Sequence, residues 1–228
     1  MYKSKSILVC VPARHGSKSI KNKNLQKVGN ETLVARSIRH AKSSNFVDEV
    51  VVSTNSDKIK KEALSHGAKV LDRPESISGP LSSTDEAMVH LLSKYNADFI
   101  VTLQATSPFR SKDLVDRCIA RTIDENGDSL ATCWKFHNFC FYKVLKDGHW
   151  FSTFDYQNRP MRQQLSEADF MHFEAGNLYV TRVSFLKEHK CRLGGKIIIQ
   201  DISQLESMQI DEHEELEMCQ KIANGGAK

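Results

Sequence analysis

Short apolar runs alternate along the first half of the chain with stretches in which apolar residues recur every three to four positions. That alternation predicts strands and helices in turn. Residues 7–11 are continuously apolar, as a strand covered on both faces requires. Residues 32–43 place Val34, Ile38 and Ala41 on one helical face. Residues 50–54 read as a second strand, 57–66 as a helix stopped by Gly67, and 69–71 as a short third strand. Ser83 and Glu86 have capping-box spacing, ahead of a helix with Met88, Leu91, Leu92 and Tyr95 at i, i+3, i+4 and i+7. Residues 99–103 form the next buried strand, and a helix from about 112 turns Val115, Cys118 and Ile119 inward. Strand and helix repeated this way predict an α/β fold with a doubly wound, mostly parallel sheet.

The pattern changes after about residue 128. Residues 129–182 hold twelve of the eighteen aromatics, helical periodicity fades, and Asp147-Gly148 separates short alternating runs. Residues 135–172 therefore read as a β-rich aromatic insertion that either lids a site or forms a homodimer contact. An aromatic surface of that density is most naturally buried by association. Strand character returns at 175–181 and 196–200, and residues 212–223 close as a helix with Leu216, Cys219 and Ile222 inward. The whole of 1–228 is expected to be a single domain.

Composition narrows the classes. The chain is 40% hydrophobic and 26% charged, and no apolar run approaches the ~18 residues of a membrane span. The five apolar residues at 7–11 are too few for a signal-peptide core, so a cytoplasmic protein without membrane contact is expected. Six dispersed cysteines, with no C-x-x-C, read as buried free thiols. The net charge of +4 conceals an asymmetry: residues 1–42 carry ten Lys/Arg against Glu31 alone, and the rest sums to −5. A basic segment of this kind suits nucleotide phosphate or nucleic acid. No RNA-binding motif accompanies it, and the aromatics lie far from it in sequence, so no nucleic-acid partner is expected.

In an open α/β sheet, ligands sit beyond the carboxyl ends of the strands. The first strand runs directly into Pro12-Ala13-Arg14-His15-Gly16-Ser17-Lys18-Ser19-Ile20-Lys21-Asn22-Lys23-Asn24. Backbone N–H groups and hydroxyls there can bind phosphate oxygens while Arg14, Lys18 and Lys23 neutralise them. It is not a P-loop, because Ser17 stands where the glycine before the lysine belongs, and one glycine cannot make a dinucleotide fingerprint.

Arg14-x-x-Ser17-Lys18 followed by Lys23-Asn24-Leu25 resembles the opening motif of the acylneuraminate cytidylyltransferase family. Further matches keep the family's order: Val52-Ser53-Thr54-Asn55, where the family usually ends in Asp, Arg73-Pro74-Glu75, and 103–110 as L-Q-A-T-S-P-F-R against L-Q-P-T-S-P-L-R. Arg162-Gln163-Gln164, Ala175-Gly176-Asn177-Leu178-Tyr179 and Ile210-Asp211 follow. The resemblance implies a Rossmann-like nucleotidyltransferase that activates a nine-carbon 2-keto-3-deoxy sugar acid with CTP, giving the CMP-sugar and pyrophosphate.

By that resemblance Arg14 and Lys23 hold the triphosphate and stabilise the leaving pyrophosphate. Ser17, Lys18 and Asn24 orient it, the backbone near Ala13 approaches the base, and Ser82 and Ser83 read cytosine or ribose. Gln104, Arg162 and Tyr179 face the sugar acid. Family members carry a D-x-D pair for Mg²⁺, which here reads Gln209-Ile210-Asp211. Strand alternation would put Gln209 and Asp211 on one face. Asp211 is the expected metal ligand, since Mg²⁺ manages with one or two carboxylates plus phosphates and water. Ala175 stands where many members have Asn, and the acid remains open among N-acetylneuraminate, legionaminic and pseudaminic types. The Kdo-activating branch is disfavoured, because it carries Thr-Arg in place of Ser17-Lys18. A catalytically idle nucleotide-binding module of the same fold is the rival reading.

Overall fold

The computed structural model describes residues 1–17, 19–137, 139–143 and 148–225. The turn expected at Asp147-Gly148 therefore lies partly outside the described residues.

The chain runs β1 (Ile7–Pro12), β2 (Lys27–Val28), β3 (Glu31–Thr32), α1 (Leu33–Lys42), β4 (Glu49–Thr54), α2 (Asp57–Ser65), β5 (Lys69–Asp72), α3 (Thr84–Leu92), β6 (Phe99–Leu103) and α4 (Leu114–Asp124). It continues through β7 (Ser129–His137), β8 (Phe141–Lys143), β9 (Trp150–Ser152), β10 (Phe170–Arg182), α5 (Val183–His189), β11 (Ile197–Ile202) and α6 (His213–Ala223). Seven strands make one sheet in the order β11-β7-β10-β6-β1-β4-β5. Pairings are parallel except where β10 meets β6 and β7, so β10 is the one reversed strand of this sheet.

Strand alternation divides the core. Ile7, Val9, Val11, Val52 and Val101 face a layer formed by α1, α2, α4 and α6, whereas Leu8, Cys10, Val51 and Ile100 face α3 and α5. The helices begin where side chains can satisfy their first amides. Thr32 Oγ1 accepts from Ala35 N at 3.2 Å, and Ser83 and Glu86 form the expected capping box. Two helix ends differ from the sequence reading: α4 starts at Leu114, and α3 stops at Leu92, so Tyr95 packs against the second core from beyond the helix. Among the cysteines, Cys10, Cys118, Cys133 and Cys219 are buried and all six are free, but Cys140 is half-buried and Cys191 exposed.

Two irregularities shape the carboxyl ends of the strands. In β10 the register against β7 slips between Glu174 and Tyr179, where Glu174 faces Cys133 and Tyr179 faces Ala131. Such a bulge re-aims side chains, and Gly176 inside it has φ +59°. The other is the connection from β11 to α6: residues 209–211 are not a strand, and Ile210 N donates to Thr106 O at 2.9 Å to bring them over β6. Residues 135–172 leave the sheet along β7 and β10, which stay paired from His137 and Phe170 to Cys133 and Glu174, with the β8–β9 hairpin between them. Phe141, Trp150, Tyr156, Met161 and Phe173 are exposed on this extension.

Candidate active site

Two clefts adjoin at the carboxyl ends of β1 and β6, beside the bulge of the reversed strand β10. The first, of about 480 Å³, is lined by Arg14, Ser17, Ser19, Lys23 and Asn24 of the loop after β1, with Arg73, Ser82, Thr84, Gln104, Thr106, Asp211 and Glu212. The second, of about 570 Å³, is lined by Phe173, Glu174, Gly176, Tyr179, Arg192 and Gln209, and again by Gln104, Thr106 and Asp211.

The loop after β1 is held in shape by its own polar side chains. Gly16 takes φ +82° and Asn22 φ +53°, both left-handed turns. His15 N donates to Asn55 Oδ1 at 2.7 Å, and Asn24 Nδ2 donates to Arg14 O at 3.1 Å. Asn55 also donates through Nδ2 to Glu75 Oε1 at 3.0 Å. An ionised aspartate at 55 could accept from His15 but could not donate to Glu75, which gives Asn55 a local reason in this chain.

Lys23 joins the loop to the far side of the cleft. Its Nζ donates to Ile210 O at 3.0 Å and pairs with Asp211 Oδ1 at 2.8 Å, while Ser19 Oγ donates to Asp211 O. Among the described residues Arg14 makes only a 3.4 Å bond to Gly16 O, so its guanidinium is left mostly uncommitted toward the cleft it lines. Arg73 is 5% exposed and is fixed by donation from Nε to Ile77 O at 2.7 Å and from Nη2 to Ser83 O at 3.3 Å. Burial, and after it the neighbouring Arg14, lower its pKa.

The sequence-selected residues fall into three groups. Arg14, Ser17, Lys23, Asn24, Ser82, Gln104 and Asp211 line the first cleft, and Gln104, Tyr179 and Asp211 line the second. Ala13 and Ser83 are committed elsewhere. Ala13 is buried and its N–H donates to Ser53 O at 3.0 Å, while Ser83 Oγ caps α3 and its side chain borders neither cleft. Arg162 lies on a single 3₁₀ turn in the extension and lines neither cleft. Lys18 lies outside the described residues.

Gln209 and Asp211 do share the second cleft, as the spacing suggested, though through an irregular segment in place of a strand. Gln209 Nε2 donates to Ala175 O and lies over Gly176, where a Cβ would come within 2.2 Å of it. A carboxylate at 209 could not donate to that carbonyl. Among the described residues no three His, Cys, Asp or Glu side chains converge as a metal cage. Asp211 and the adjacent Glu212 are the carboxylates on the first cleft, a donor set that fits Mg²⁺ held largely by ligand phosphates.

Three residues escaped sequence reasoning. Arg73 was visible only as part of a short motif, Thr106 as part of another, and Arg192 belonged to none. Arg192 lies in the connection from α5 to β11, stacks its guanidinium 4.6 Å from the Tyr179 ring centroid, and pairs with Asp85 Oδ1 at 3.1 Å. Tyr179 donates to Glu174 Oε1, and burial followed by that carboxylate pushes its pKa up to about 12.

A supporting clasp lies behind both clefts. Arg110 is buried, donates through Nη2 to Gln104 O at 2.7 Å and Asn177 O at 3.0 Å, and contacts Ser37 Oγ through Nη1. Burial, with Arg36 adding repulsion, brings its pKa down to about 9. Asn177 Nδ2 donates to Phe109 O at 3.0 Å and Glu206 O at 2.6 Å. The end of β6, the β10 bulge and the segment before α6 are thereby locked together.

Comparison with known proteins agrees with this geometry. A family model described as cytidylyltransferase matches residues 8–221. An N-acylneuraminate cytidylyltransferase of Escherichia coli O18:K1:H7 is 38% identical over 105 residues, 46% of this chain and only 25% of that protein. A pseudaminic acid cytidylyltransferase of Campylobacter jejuni serotype O:23/36 is 29% identical over 192 residues, 79% of this chain and 81% of the relative. Among solved structures, a CMP:2-keto-3-deoxy-manno-octonic acid synthetase complexed with CTP superposes with a TM-score of 0.71 at 14% identity, covering 96% and 98% of the two chains. At that identity the likeness is one of fold. No helix among the described residues is long and apolar enough to cross a membrane.

Proposed function

We propose, from the premise that the chain belongs to the cytidylyltransferase family, that it transfers CMP from CTP to a nonulosonic acid, a nine-carbon 2-keto-3-deoxy sugar acid. The observation that carries this reading is the sharing of Gln104, Thr106 and Asp211 by the two clefts. A cationic cleft for a triphosphate opens, across these three residues, on a second cleft large enough for a sugar.

The anomeric hydroxyl of the acid attacks the α-phosphorus, and the bond to the β-phosphate bridging oxygen breaks as pyrophosphate leaves. Such chemistry needs positioning and charge neutralisation more than a protein nucleophile. Arg14 and Lys23 hold the triphosphate and stabilise the leaving pyrophosphate, with Ser17, Lys18 and Asn24 orienting it and Ser82 beside the nucleoside. Arg73 adds a fixed positive charge on the same wall. Gln104 and Tyr179 contact the acceptor. Mg²⁺, held by Asp211 and phosphate oxygens, would supply further charge neutralisation at the phosphates. The exposed aromatics of residues 135–172 support assembly as a homodimer. The named relatives act on N-acylneuraminate and pseudaminic acid, and the acceptor is proposed to belong to that class.

The test is pyrophosphate release from CTP and Mg²⁺ with N-acetylneuraminate, N,N′-diacetyllegionaminate and pseudaminate in turn. Release with at least one acid, and none without acid, is expected. CTP binding without release from any acid would overturn this reading in favour of an idle nucleotide-binding module.

A further inference from the structure

The acceptor cleft ends on a cluster built around Arg192, a residue that none of the sequence motifs contains. Arg192 is held there by its backbone as well as its side chain. Its N–H donates to Asp85 Oδ1 at 3.2 Å, its carbonyl accepts from Thr181 Oγ1 at 2.8 Å, and its Nη1 donates to the same Asp85 oxygen at 3.1 Å. The guanidinium lies over Tyr179, its Cζ 4.6 Å from the ring centroid. A guanidinium offers two forked donor edges. Asp85 occupies Nη1, and Nε is closed to solvent with no partner among the described residues, so Nη2 is the donor left for the cleft that Arg192 lines.

Charge selects which oxygen. Asp85 pairs with Arg192 and Glu174 accepts from Tyr179, so the two carboxylates about the Arg192–Tyr179 pair outnumber its one guanidinium and the pole carries a formal excess of negative charge. A ligand carboxylate brought here meets repulsion, whereas Arg14, Lys23 and Arg73 lie on the first cleft. Glu174 spends Oε1 on Tyr179, which stays a donor, and has Oε2 left to accept. A guanidinium donor beside a carboxylate acceptor, both lining one cleft, is complementary to a neutral group that presents one acceptor and one donor. An amide is such a group.

We propose, resting on the cytidylyl-transfer reading, that Arg192 is a specificity-determining residue that donates to the carbonyl of an acylamino substituent on the sugar acid. Glu174 accepts that substituent's N–H, and the acid's own carboxylate points toward the cationic cleft. The acceptor is thus oriented by charge at one end and read by neutral hydrogen bonds at the other.

The experiment compares kcat/KM for the acid that is turned over with that for its counterpart bearing a hydroxyl in place of the acylamino group. A site built to hydrogen-bond a substituent rejects the analogue that lacks it, and a preference of about 10-fold or more is expected for the wild-type chain. Arg192→Met keeps an apolar stem against Tyr179 and removes the donors. The preference should fall toward unity, mainly through the acceptor KM, with the CTP KM within about twofold of wild type. Arg192→Lys, which keeps the charge without the fork, should lose the preference as well and serves if the methionine variant folds poorly. A preference retained in either folded variant overturns the role of Arg192 while leaving the function standing. Absence of release with every acid overturns both.

Discussion

The first cleft draws Arg14, Ser17, Ser19, Lys23 and Asn24 from one loop, fixed by short-range bonds and by Asn55. The second gathers Gln104, Glu174, Tyr179, Arg192 and Gln209 from four separated segments, fixed by a bulge, a clasp and a pinned connection. The difference follows from what each is proposed to hold. Phosphates need a concentration of donors and positive charge, which one glycine-containing loop at a strand end can supply. A sugar presents dispersed hydroxyl, amide and carboxylate groups, and the residues that read it are brought together by tertiary structure. Variation in one of these segments can change the acceptor while the phosphate chemistry stays intact.

Two substitutions probe that division. Arg14→Ala should lower kcat by about 100-fold or more, as removal of a transition-state charge stabiliser does, while the thermal unfolding midpoint stays unchanged because Arg14 makes only one long bond in the fold. Near wild-type turnover in steady-state assays would remove Arg14 from the mechanism. Gly176→Ala should act on the second cleft alone. Its φ of +59° strains any side chain, and the new Cβ would displace Gln209 from the Ala175 carbonyl. We expect the acceptor KM to rise about 10-fold, with the CTP KM nearly constant, because only uniform acceptor binding is lost; equal changes in both constants would show that the clefts are not separable.

The smallest effect concerns His40, behind both clefts. Burial, and after it Arg110, Arg39 and Arg36, hold its pKa down to about 3 against an ordinary 6.5. The unfolded chain therefore binds a proton that the folded chain refuses between about pH 6.5 and 3. Stability from this group is present above pH 6.5 and falls as the pH drops through that window, by at most about 1.4 kcal/mol per pH unit. Urea unfolding at pH 7 and pH 5 should show a smaller acid loss in His40→Leu than in wild type. An identical loss would mean that His40 is protonated in the folded protein.

The sheet strands were legible because both faces are covered, so β1 appears as an unbroken apolar run and β6 as one broken only by Thr102, and Ser83 with Glu86 announced α3. The loop after β1 was legible as a candidate phosphate site because its donors are contiguous. Arg192 was not, since its pairing with Asp85 spans more than a hundred residues of chain and its loop has no periodicity. Arg110 was visible as the last residue of a motif, yet its work is to hold the carbonyls of Gln104 and Asn177, a contact that spacing cannot reveal. Ser83 carried two readings in the sequence, and Glu86 N bonding to its Oγ at 3.1 Å gives it to the helix cap.

The separation of the two clefts is tested most directly by calorimetric titration of CTP into the wild-type chain, Arg14→Ala and Arg192→Met under one set of Mg²⁺ and salt conditions. We expect CTP affinity to fall about 10-fold or more in Arg14→Ala, the cost of one charge-assisted phosphate contact, and to be unchanged in Arg192→Met. Equal affinities across all three, or a loss confined to Arg192→Met, would contradict the assignment of the triphosphate to the loop after β1.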